Sequence, residues 1–296
     1  MITPFEWLAK GHATENDFLL AVEGARAPVV TPEDVRRLCN RHAGIGADGL
    51  LLARPATAAG YPTSAEWFMD YRNADGSLAE MCGNGIRVFA HFLREEGLLT
   101  GTGPWVIATR GGERTVWHGG TAPGGDEYIV DMGDYGFPGG TAARSAGFDV
   151  AVGLSGMDQR PGLRVTMPNP HTVVALESLE QLREVDLRGA VYDPAPPEGT
   201  NLEVVVPLGE RIDGGSRVGM LAMRVLERGV GETRSCGTGC CAAAAALREW
   251  AGPESPDRWD VRVPGGTVRV DLRDGRALLT GPALLVARVG RYEGRA

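Results

Sequence analysis

The feature that most constrains the fold of this chain is an internal repeat. Met81–Gly85, which reads Met-Cys-Gly-Asn-Gly, recurs 154 residues later as Ser235–Gly239, which reads Ser-Cys-Gly-Thr-Gly. The same interval relates Trp105 to Trp259. One short motif can recur by chance, but matches held in register over about 100 residues indicate two structurally similar halves.

The order of predicted elements is the same around both motifs. Strand-like runs at Trp67–Tyr71 and Met220–Leu226 precede the two cysteines, and helical patterns at Ile86–Leu93 and Cys240–Trp250 follow them. The second helix is apolar on nearly every face, which is typical of a buried central helix. We therefore expect many short strands around one central helix in each half, with the break in the Gly/Pro-rich stretch Gly133–Gly147.

Composition and charge argue against several classes of protein. The net charge is −8 and the pI is ≈ 5.3, and no Lys/Arg cluster occurs, so we expect no nucleic-acid partner. Apolar stretches fall short of the ~18 residues of a membrane span, and the N-terminal segment lacks the apolar region of a secretory signal. We therefore expect a cytoplasmic protein without a membrane partner. Lys10 is the only lysine and lies in no P-loop motif, which argues against PLP and P-loop chemistry.

The five cysteines favour thiol chemistry or packing over crosslinks and metals. They are Cys39, Cys82, Cys236, Cys240 and Cys241. An odd number without a secretory signal indicates a reducing compartment. No Cys-x-x-Cys pair occurs and no histidine lies near the last three in sequence, so we expect no zinc or other metal. We interpret Cys39, Cys240 and Cys241 as packing residues.

The two remaining cysteines, Cys82 and Cys236, each stand before Gly-x-Gly at a predicted helix start. The first-turn N–H groups of a helix are unpaired, and the helix dipole favours an anion there, whether a thiolate or a bound carboxylate. The glycines allow a ligand to approach the backbone. Two such sites facing each other across a cleft place two thiols on opposite sides of one ligand.

This arrangement suits inversion at a carbon next to a carboxylate. One thiolate removes the α-proton, and the other thiol protonates the opposite face. The helix amides stabilise the enolate-like transition state. Because an ordinary thiol has a pKa near ~8.5, one thiolate and one thiol near neutral pH require modest tuning.

At this point the motifs carry a family resemblance. They are Asn73–Ser77, Met81–Arg87, Asn169–His171, Gly199–Asn201 and Glu227–Gly239. Together they resemble the diaminopimelate epimerase family over nearly the whole chain, from Gly11 to about Gly290. The resemblance implies an isomerase that needs no PLP or other cofactor and interconverts LL- and meso-2,6-diaminopimelate on the route to lysine and peptidoglycan.

The resemblance also implies the fold and the domain limits. It implies an α/β (α+β) chain of two pseudo-symmetric halves, each a barrel-like, mostly antiparallel sheet around a central helix. The last strand returns to the first half. The expected domains are 1–133 plus 283–296, which carries Cys82, and 134–282, which carries Cys236, with the active site in the cleft between them. A homodimer is the expected assembly.

The resemblance implies a role for each matched residue. Cys82 and Cys236 are the acid/base thiols, and His171 and Glu227 tune them. The residues expected to bind substrate are Asn16, Asn73, Gly83, Asn84, Asn169, Asn201, Glu227, Arg228, Gly237 and Thr238. Arg228 can grip a carboxylate with two parallel hydrogen bonds, and an asparagine both donates and accepts.

The sequence departs from the family pattern in two places. Gly11–Phe18 lacks the glycine-rich sequence of many members but keeps Asn16. Gly49 stands where many members have a glutamine, so one substrate contact is in doubt.

Other interpretations remain open at this stage. A proline or hydroxyproline racemase is the nearest alternative, although such relatives typically carry histidine at the position of Asn84. A non-catalytic amino-acid-binding protein or a thiol-redox protein belongs to a different class, and substrate turnover distinguishes these from an epimerase. His171 can also be a structural histidine, and Glu227 an ordinary salt-bridge partner.

Overall fold

The computed structural model describes residues 5, 7–23, 29–60, 63–122, 124–167 and 169–290. The chain divides into two compact units. The first contains Met1–Val130 and Gly281–Ala296, and the second contains Asp131–Thr280. The expected domain limits, 133/134 and 282/283, lie inside the strands that cross these divisions.

The first unit holds seven strands and two helices along the described chain before it passes into the second. In chain order they are β1 (Trp7–Ala13), β2 (Asn16–Val22), α1 (Pro32–Cys39), β3 (Gly49–Pro55), β4 (Trp67–Asn73), α2 (Gly83–Glu95), β5 (Trp105–Thr109), β6 (Gly112–Ala122) and β7 (Gly125–Asp134).

The second unit follows with three helices and ten strands among the described residues. They are α3 (Gly140–Ala146), β8 (Val150–Ser155), β9 (Arg160–Thr166), β10 (Pro170–Ala175), α4 (Leu179–Glu184), β11 (Asp186–Asp193), β12 (Asn201–Asp213), β13 (Ser216–Glu227), β14 (Gly231–Thr233), α5 (Gly237–Ala251), β15 (Arg258–Val263), β16 (Gly266–Arg273) and β17 (Arg276–Gly290).

The described strands of the first unit form a closed ring. The order is β1, β2, β3, β4, β5, β6, β7 and the end of β17, which returns to β1. Two of the pairings, β2 with β3 and β4 with β5, are parallel. The pairings of β1 with β2, β3 with β4, β5 with β6, and β6 with β7 are antiparallel.

The second unit repeats this pairing pattern. Its ring runs β9, β10, β12, β13, β15, β16 and the start of β17, and β10–β12 and β13–β15 are its parallel pairs. A bridge between Gly136 and Thr166 returns the ring to β9. The order of parallel and antiparallel pairs therefore matches that of the first unit, which confirms the predicted α+β fold of two alike halves.

A central helix packs against the ring of each unit. In the first unit α2 contacts β1 to β4, and in the second α5 contacts β9, β10, β12, β13, β15 and β16. The five alanines Ala242–Ala246 are all buried to within 1% exposure, so the middle of α5 is enclosed, as its apolar sequence predicts. Their small side chains let the surrounding strands approach the helix closely.

A second apolar layer covers the outside of part of each ring. In the first unit Val35 and Leu38 of α1 pack on Leu19 and Leu50 of the ring. Thr31 caps this helix, and its hydroxyl and the Asp34 carboxylate exchange hydrogen bonds with the backbone in a capping box. In the second unit α4 and β8 pack on the outer face of β12. The inner faces of the rings are left for the two central helices and the cysteines that begin them.

Candidate active site

Cys82 begins helix α2. Its backbone is extended, with φ −141° and ψ 123°, and its Sγ accepts a hydrogen bond from the Gly85 N–H at 3.3 Å. The thiol therefore lies at the N-terminal end of the helix dipole, where negative charge is favoured. The predicted helix start at this cysteine is confirmed.

Asn16 contacts the Cys82 thiol directly, and Asn84 contacts Asn16. The Cys82 thiol donates to Asn16 Oδ1 at 3.5 Å, and Asn84 Nδ2 donates to the same oxygen at 3.4 Å. Asn16 Nδ2 donates to Asp48 at 2.8 Å, which fixes the orientation of the amide. As a thiol, Cys82 donates to Asn16 and accepts from the Gly85 N–H; as a thiolate it keeps the Gly85 contact alone, because the Asn16 oxygen cannot donate.

A buried arginine supports the same helix start. The Arg87 side chain is fully buried and donates to Asn84 Oδ1 at 2.8 Å, to the Gly83 carbonyl at 3.1 Å and to Thr14 Oγ1 at 3.4 Å. The guanidinium therefore stabilises the turn that carries the Cys82 thiol. We call Cys82, Asn16, Asn84 and Arg87 the first half-site.

The other residues that the sequence assigned to this region have local partners. Asn73 ends β4 and donates to Ser77 Oγ at 3.0 Å. At Gly49, an added Cβ would lie 2.6 Å from the Arg72 carbonyl oxygen and 2.8 Å from the Tyr71 ring. The space that a glutamine side chain needs at position 49 is therefore taken by backbone and by Tyr71.

Cys236 begins helix α5 in the same way, with φ −130° and ψ 116°. Its side chain is 7% exposed, and its Sγ lies 3.4 Å from Thr238 Oγ1. Gly237 and Gly239, on either side of Thr238, are buried in the first turn. This helix start is also confirmed.

Two acidic groups lie close to Cys236. Burial raises the pKa of the Cys236 thiol well above its ordinary value, and the charges of Glu227 and Glu203 raise it further. Burial likewise raises the pKa of Glu227, although its hydrogen bonds to Thr233 and Cys236 act the other way. In the ligand-free protein Cys236 is therefore held as a thiol.

A buried histidine and carboxylate lie in the same unit. His171 Nδ1 is 2.7 Å from Glu203 Oε1, and His171 Nε2 is 3.1 Å from Asn169 Oδ1. The side chains of His171 and Glu203 have no exposed surface. We call Cys236, Glu227, His171 and Glu203 the second half-site.

Asn201 and Arg228 are joined to each other. Asn201 Oδ1 accepts from the Arg228 backbone N–H at 2.9 Å, and Asn201 Nδ2 donates to the Pro170 carbonyl at 3.1 Å. The Arg228 guanidinium donates to the Glu198 carbonyl at 2.7 Å. Asn201 thus joins the ends of three strands and holds the backbone of Arg228, which follows Glu227 in the chain.

Two residues of these half-sites were not singled out from the sequence. Glu203 is the one charged residue in the apolar run Leu202–Val206, and Arg87 is a charged residue within the buried face of α2. A charge inside an otherwise apolar element was the signal available in both cases.

The described residues contain one possible cluster of metal ligands. None of the helices among these residues combines the length and the apolar character needed to cross a membrane. One cluster, His91, Glu95 and Asp126, brings metal-ligand atoms within 4.8 Å of one another, but Arg94 donates to Asp126 at 2.7 Å and occupies that carboxylate. The cluster contains neither Cys82 nor Cys236.

Comparison with known families and proteins gives a consistent result. The profile of the family described as "Diaminopimelate epimerase" matches residues 8–137 and 163–286. A Streptomyces coelicolor protein named diaminopimelate epimerase is 43% identical over 295 residues, covering 94% of this chain and 92% of that protein. A Thermobifida fusca protein of the same name is 43% identical over 289 residues, covering 94% and 95%.

Solved structures with this fold are more distant in sequence. A predicted epimerase from Pseudomonas aeruginosa aligns with a TM-score of 0.65 at 13% identity, covering 98% of this chain and 100% of that one. A probable proline racemase from Agrobacterium radiobacter K84 with bound carbonate aligns with a TM-score of 0.61 at 16% identity, covering 97% and 92%. At these identities the likeness shows the fold alone.

Proposed function

This chain belongs to the diaminopimelate epimerase family, and we propose that it interconverts LL- and meso-2,6-diaminopimelate as a cofactor-independent isomerase of lysine and peptidoglycan synthesis. The observation that carries the proposal is the pair of cysteines at equivalent helix starts. Cys82 and Cys236 each directly precede the central helix of a ring with the same pairing pattern.

The proposed reaction is a proton exchange at one α-carbon. A thiolate removes the α-proton, so that a C–H bond breaks and an S–H bond forms. The other thiol then donates its proton to the opposite face, forming a new C–H bond and leaving a thiolate. Atoms and charge balance without a co-reactant, and the configuration at the carbon inverts.

The two helix starts supply the stabilisation that this step requires. The negative charge that develops on the substrate carboxylate is met by first-turn N–H groups of α2 and α5, including those of Gly83, Asn84, Gly237 and Thr238. These amides are fixed by the helices before substrate binds, so they need no reorganisation during proton transfer.

We assign Cys236 as the proton donor to the LL substrate and Cys82 as the base. The raised pKa of the buried Cys236 thiol favours its protonated form and supports this assignment. Catalysis in the reverse direction requires Cys236 to lose its proton. Glu227 and His171 are the titratable neighbours that we assign to this exchange.

Polar side chains in and beside the two half-sites bind the rest of the substrate. We assign the amino groups and the distal carboxylate of diaminopimelate to Asn16, Asn73, Asn84, Asn169, Asn201, Glu227 and Arg228. Arg228 is the one cation among these residues, and a guanidinium matches a carboxylate with two parallel hydrogen bonds.

We extend the proposal to the setting of the enzyme. Five free cysteines and a net charge of −8 fit a cytoplasmic enzyme of small-molecule metabolism that binds neither nucleic acid nor a membrane. A homodimer is the proposed assembly. Light scattering on purified protein gives the mass directly, and the mass of a monomer at micromolar concentration would contradict this part.

An assay of LL-diaminopimelate without added PLP or metal tests the activity. We expect chiral analysis to show conversion to the meso isomer, and L-proline and trans-4-hydroxy-L-proline under the same conditions to remain unchanged. Dependence on added PLP would contradict the mechanism. Turnover of proline without turnover of diaminopimelate would contradict the substrate.

A further inference from the structure

Glu203 is a fully buried carboxylate on an otherwise apolar strand. Its neighbours Leu202 and Val204 on β12 both point into the outer apolar core. Because side chains alternate along a strand, Glu203 points to the opposite face, towards α5. An added Cβ at Gly239, in the first turn of α5, would lie 2.7 Å from Glu203 Oε1, which places the carboxylate against the helix start.

The hydrogen bonding of this carboxylate is incomplete. Oε1 lies 2.7 Å from His171 Nδ1, and Oε2 is buried without a hydrogen-bond partner among the described residues. Burial of a carboxylate is costly unless its charge is paired and its oxygens are satisfied. Packing alone therefore gives no reason for an acid at this position, where an apolar residue of similar size would be more stable.

The contact with Glu203 determines which ring nitrogen of His171 must carry a hydrogen. An ionised carboxylate only accepts hydrogen bonds, so His171 Nδ1 must carry a hydrogen. The other ring nitrogen, Nε2, faces Asn169 Oδ1 at 3.1 Å. Because an amide oxygen only accepts, this contact is a hydrogen bond when Nε2 also carries a hydrogen, so that His171 donates to both Glu203 and Asn169. Asn169 then keeps its amide N–H groups available as donors.

We propose that Glu203 is a positioning residue of the active site, which holds His171 with a hydrogen on Nδ1 and, through the His171–Asn169 contact, fixes the orientation of the Asn169 amide. We call the contacts from Glu203 through His171 to Asn169 the relay. The inference rests on the proposed function, because the relay is taken to serve the epimerase site. Glu203 itself touches neither substrate nor reacting atoms.

The charge of Glu203 is also felt by neighbouring groups. It raises the pKa of the Cys236 thiol, after the larger contributions of burial and of Glu227. It contributes, after burial, to a pKa of about 12 for Tyr192 on β11. Glu203 therefore lies within electrostatic reach of the thiol while it holds the histidine.

The first test observes the histidine without any turnover. Long-range proton–nitrogen NMR spectra of ¹⁵N-histidine-labelled, ligand-free protein report which ring nitrogens carry hydrogen, and a His171→Asn variant identifies the signal. We expect a protonated Nδ1 in the wild type and in Glu203→Asp, and loss of this fixed hydrogen in Glu203→Leu, which offers no acceptor. An unprotonated Nδ1 in the wild type, or an unchanged spectrum in Glu203→Leu, would overturn the proposal.

The second test is a double-mutant cycle. Loss of a partner that orients a functional histidine typically changes activity 10–100-fold, so we expect Glu203→Leu, which removes the acceptor, to lower kcat/KM at least about tenfold. In the His171→Asn background the same change is expected to cost less than about twofold, because the group through which it acts is absent. An equal loss in both backgrounds would show that Glu203 acts elsewhere.

A matched control separates a positioning role from general loss of a buried acid. Asp70 is a fully buried carboxylate of the first unit that binds Arg72 at 3.0 Å and Arg110 at 2.6 Å. We expect Asp70→Asn to lower the melting temperature and to leave the His171 signal unchanged. If Asp70→Asn shifts that signal as much as Glu203→Leu does, the proposal fails.

The two proposals fail in distinguishable ways. A wild-type enzyme with the expected His171 spectrum but no turnover of diaminopimelate contradicts the proposed function alone. Normal turnover with an unprotonated Nδ1 contradicts the role of Glu203 alone.

Discussion

The two half-sites share a backbone plan but differ in charge. Around Cys82 the partners are two neutral amides, Asn16 and Asn84, with a buried arginine behind them. Around Cys236 the partners are two carboxylates, with a buried histidine joined to one of them. The same helix start is therefore next to neutral amides and a buried guanidinium in one unit, and next to carboxylates in the other.

Strand register shows where the difference arises. In the first unit Phe18 pairs with Gly49, and in the second His171 pairs with Asn201 at the corresponding point of the ring. An apolar residue and a glycine in one half thus correspond to a histidine and an asparagine in the other. Internal repetition fixes where the side chains lie, whereas the residues themselves decide how each thiol exchanges its proton.

The largest expected effect is the loss of either thiol. General acid or base catalysis typically contributes 10²–10⁴-fold, so we expect Cys82→Ala and Cys236→Ala each to lower kcat by about 10³-fold. Chiral product analysis measures the loss, and circular dichroism confirms that the variants fold. Full activity in either variant would remove that cysteine from the mechanism.

The buried cation of the first half-site should matter mainly for stability. Hydrogen bonds to charged groups contribute about 1.5–3 kcal/mol each, so we expect Arg87→Gln to lower the free energy of unfolding by about 3 kcal/mol. Urea denaturation measures the change. Arg87→Lys keeps the charge but loses the planar fork, and a lysine variant as stable as the wild type would show that the fork is unimportant.

Glu227 and Asn73 occupy the same place in the repeat, at the ends of β13 and β4. Because Glu227, unlike Asn73, exchanges protons in our account, Glu227→Gln should lower kcat at least about tenfold. Asn73→Ala removes a neutral hydrogen-bonding group and should raise KM with less than about a twofold change in kcat. An equal decrease in kcat in the two variants would contradict the proposed difference between the half-sites.

The raised pKa of Glu227 also predicts how stability varies with pH. A carboxyl group whose pKa in the folded protein lies above its ordinary value of 4.5 favours folding while it is protonated. This contribution is lost as pH rises through 4.5 to the folded pKa. Glu227→Gln should therefore gain stability relative to the wild type between about pH 4 and pH 7, and a constant difference across that range would contradict the assignment.

The smallest effect separates two equivalent glycines. An added Cβ at Gly85 has its nearest contact at 3.3 Å, on Cys82, whereas one at Gly239 lies 2.7 Å from Glu203 Oε1. We expect Gly239→Ala to cost about 1–3 kcal/mol of stability, as overpacking of a core typically does, and Gly85→Ala to cost less. Thermal unfolding of the two variants makes the comparison, and a larger loss at Gly85 would contradict it.

The fold and the cysteine positions could be predicted because their signals are local and repeated. Each cysteine stands before Gly-x-Gly and an apolar helix, and the second copy confirms the first. The relay from Glu203 to Asn169 could not be predicted, because it depends on a parallel pairing of β10 with β12 that no local pattern reveals. The environment of Gly49 was missed for a similar reason, since Tyr71 reaches it from the neighbouring strand.

The most direct test of the proposed two-thiol mechanism is early turnover of LL-diaminopimelate in D₂O. The thiol that delivers the new hydrogen has exchanged with solvent, whereas the thiolate that removed the original hydrogen returns it only to the face it came from. We predict that meso product carries deuterium at the inverted carbon while recovered LL substrate stays largely unlabelled. Early product that keeps a large share of the substrate hydrogen would contradict the account and leave Cys82 or Cys236 without its assigned role.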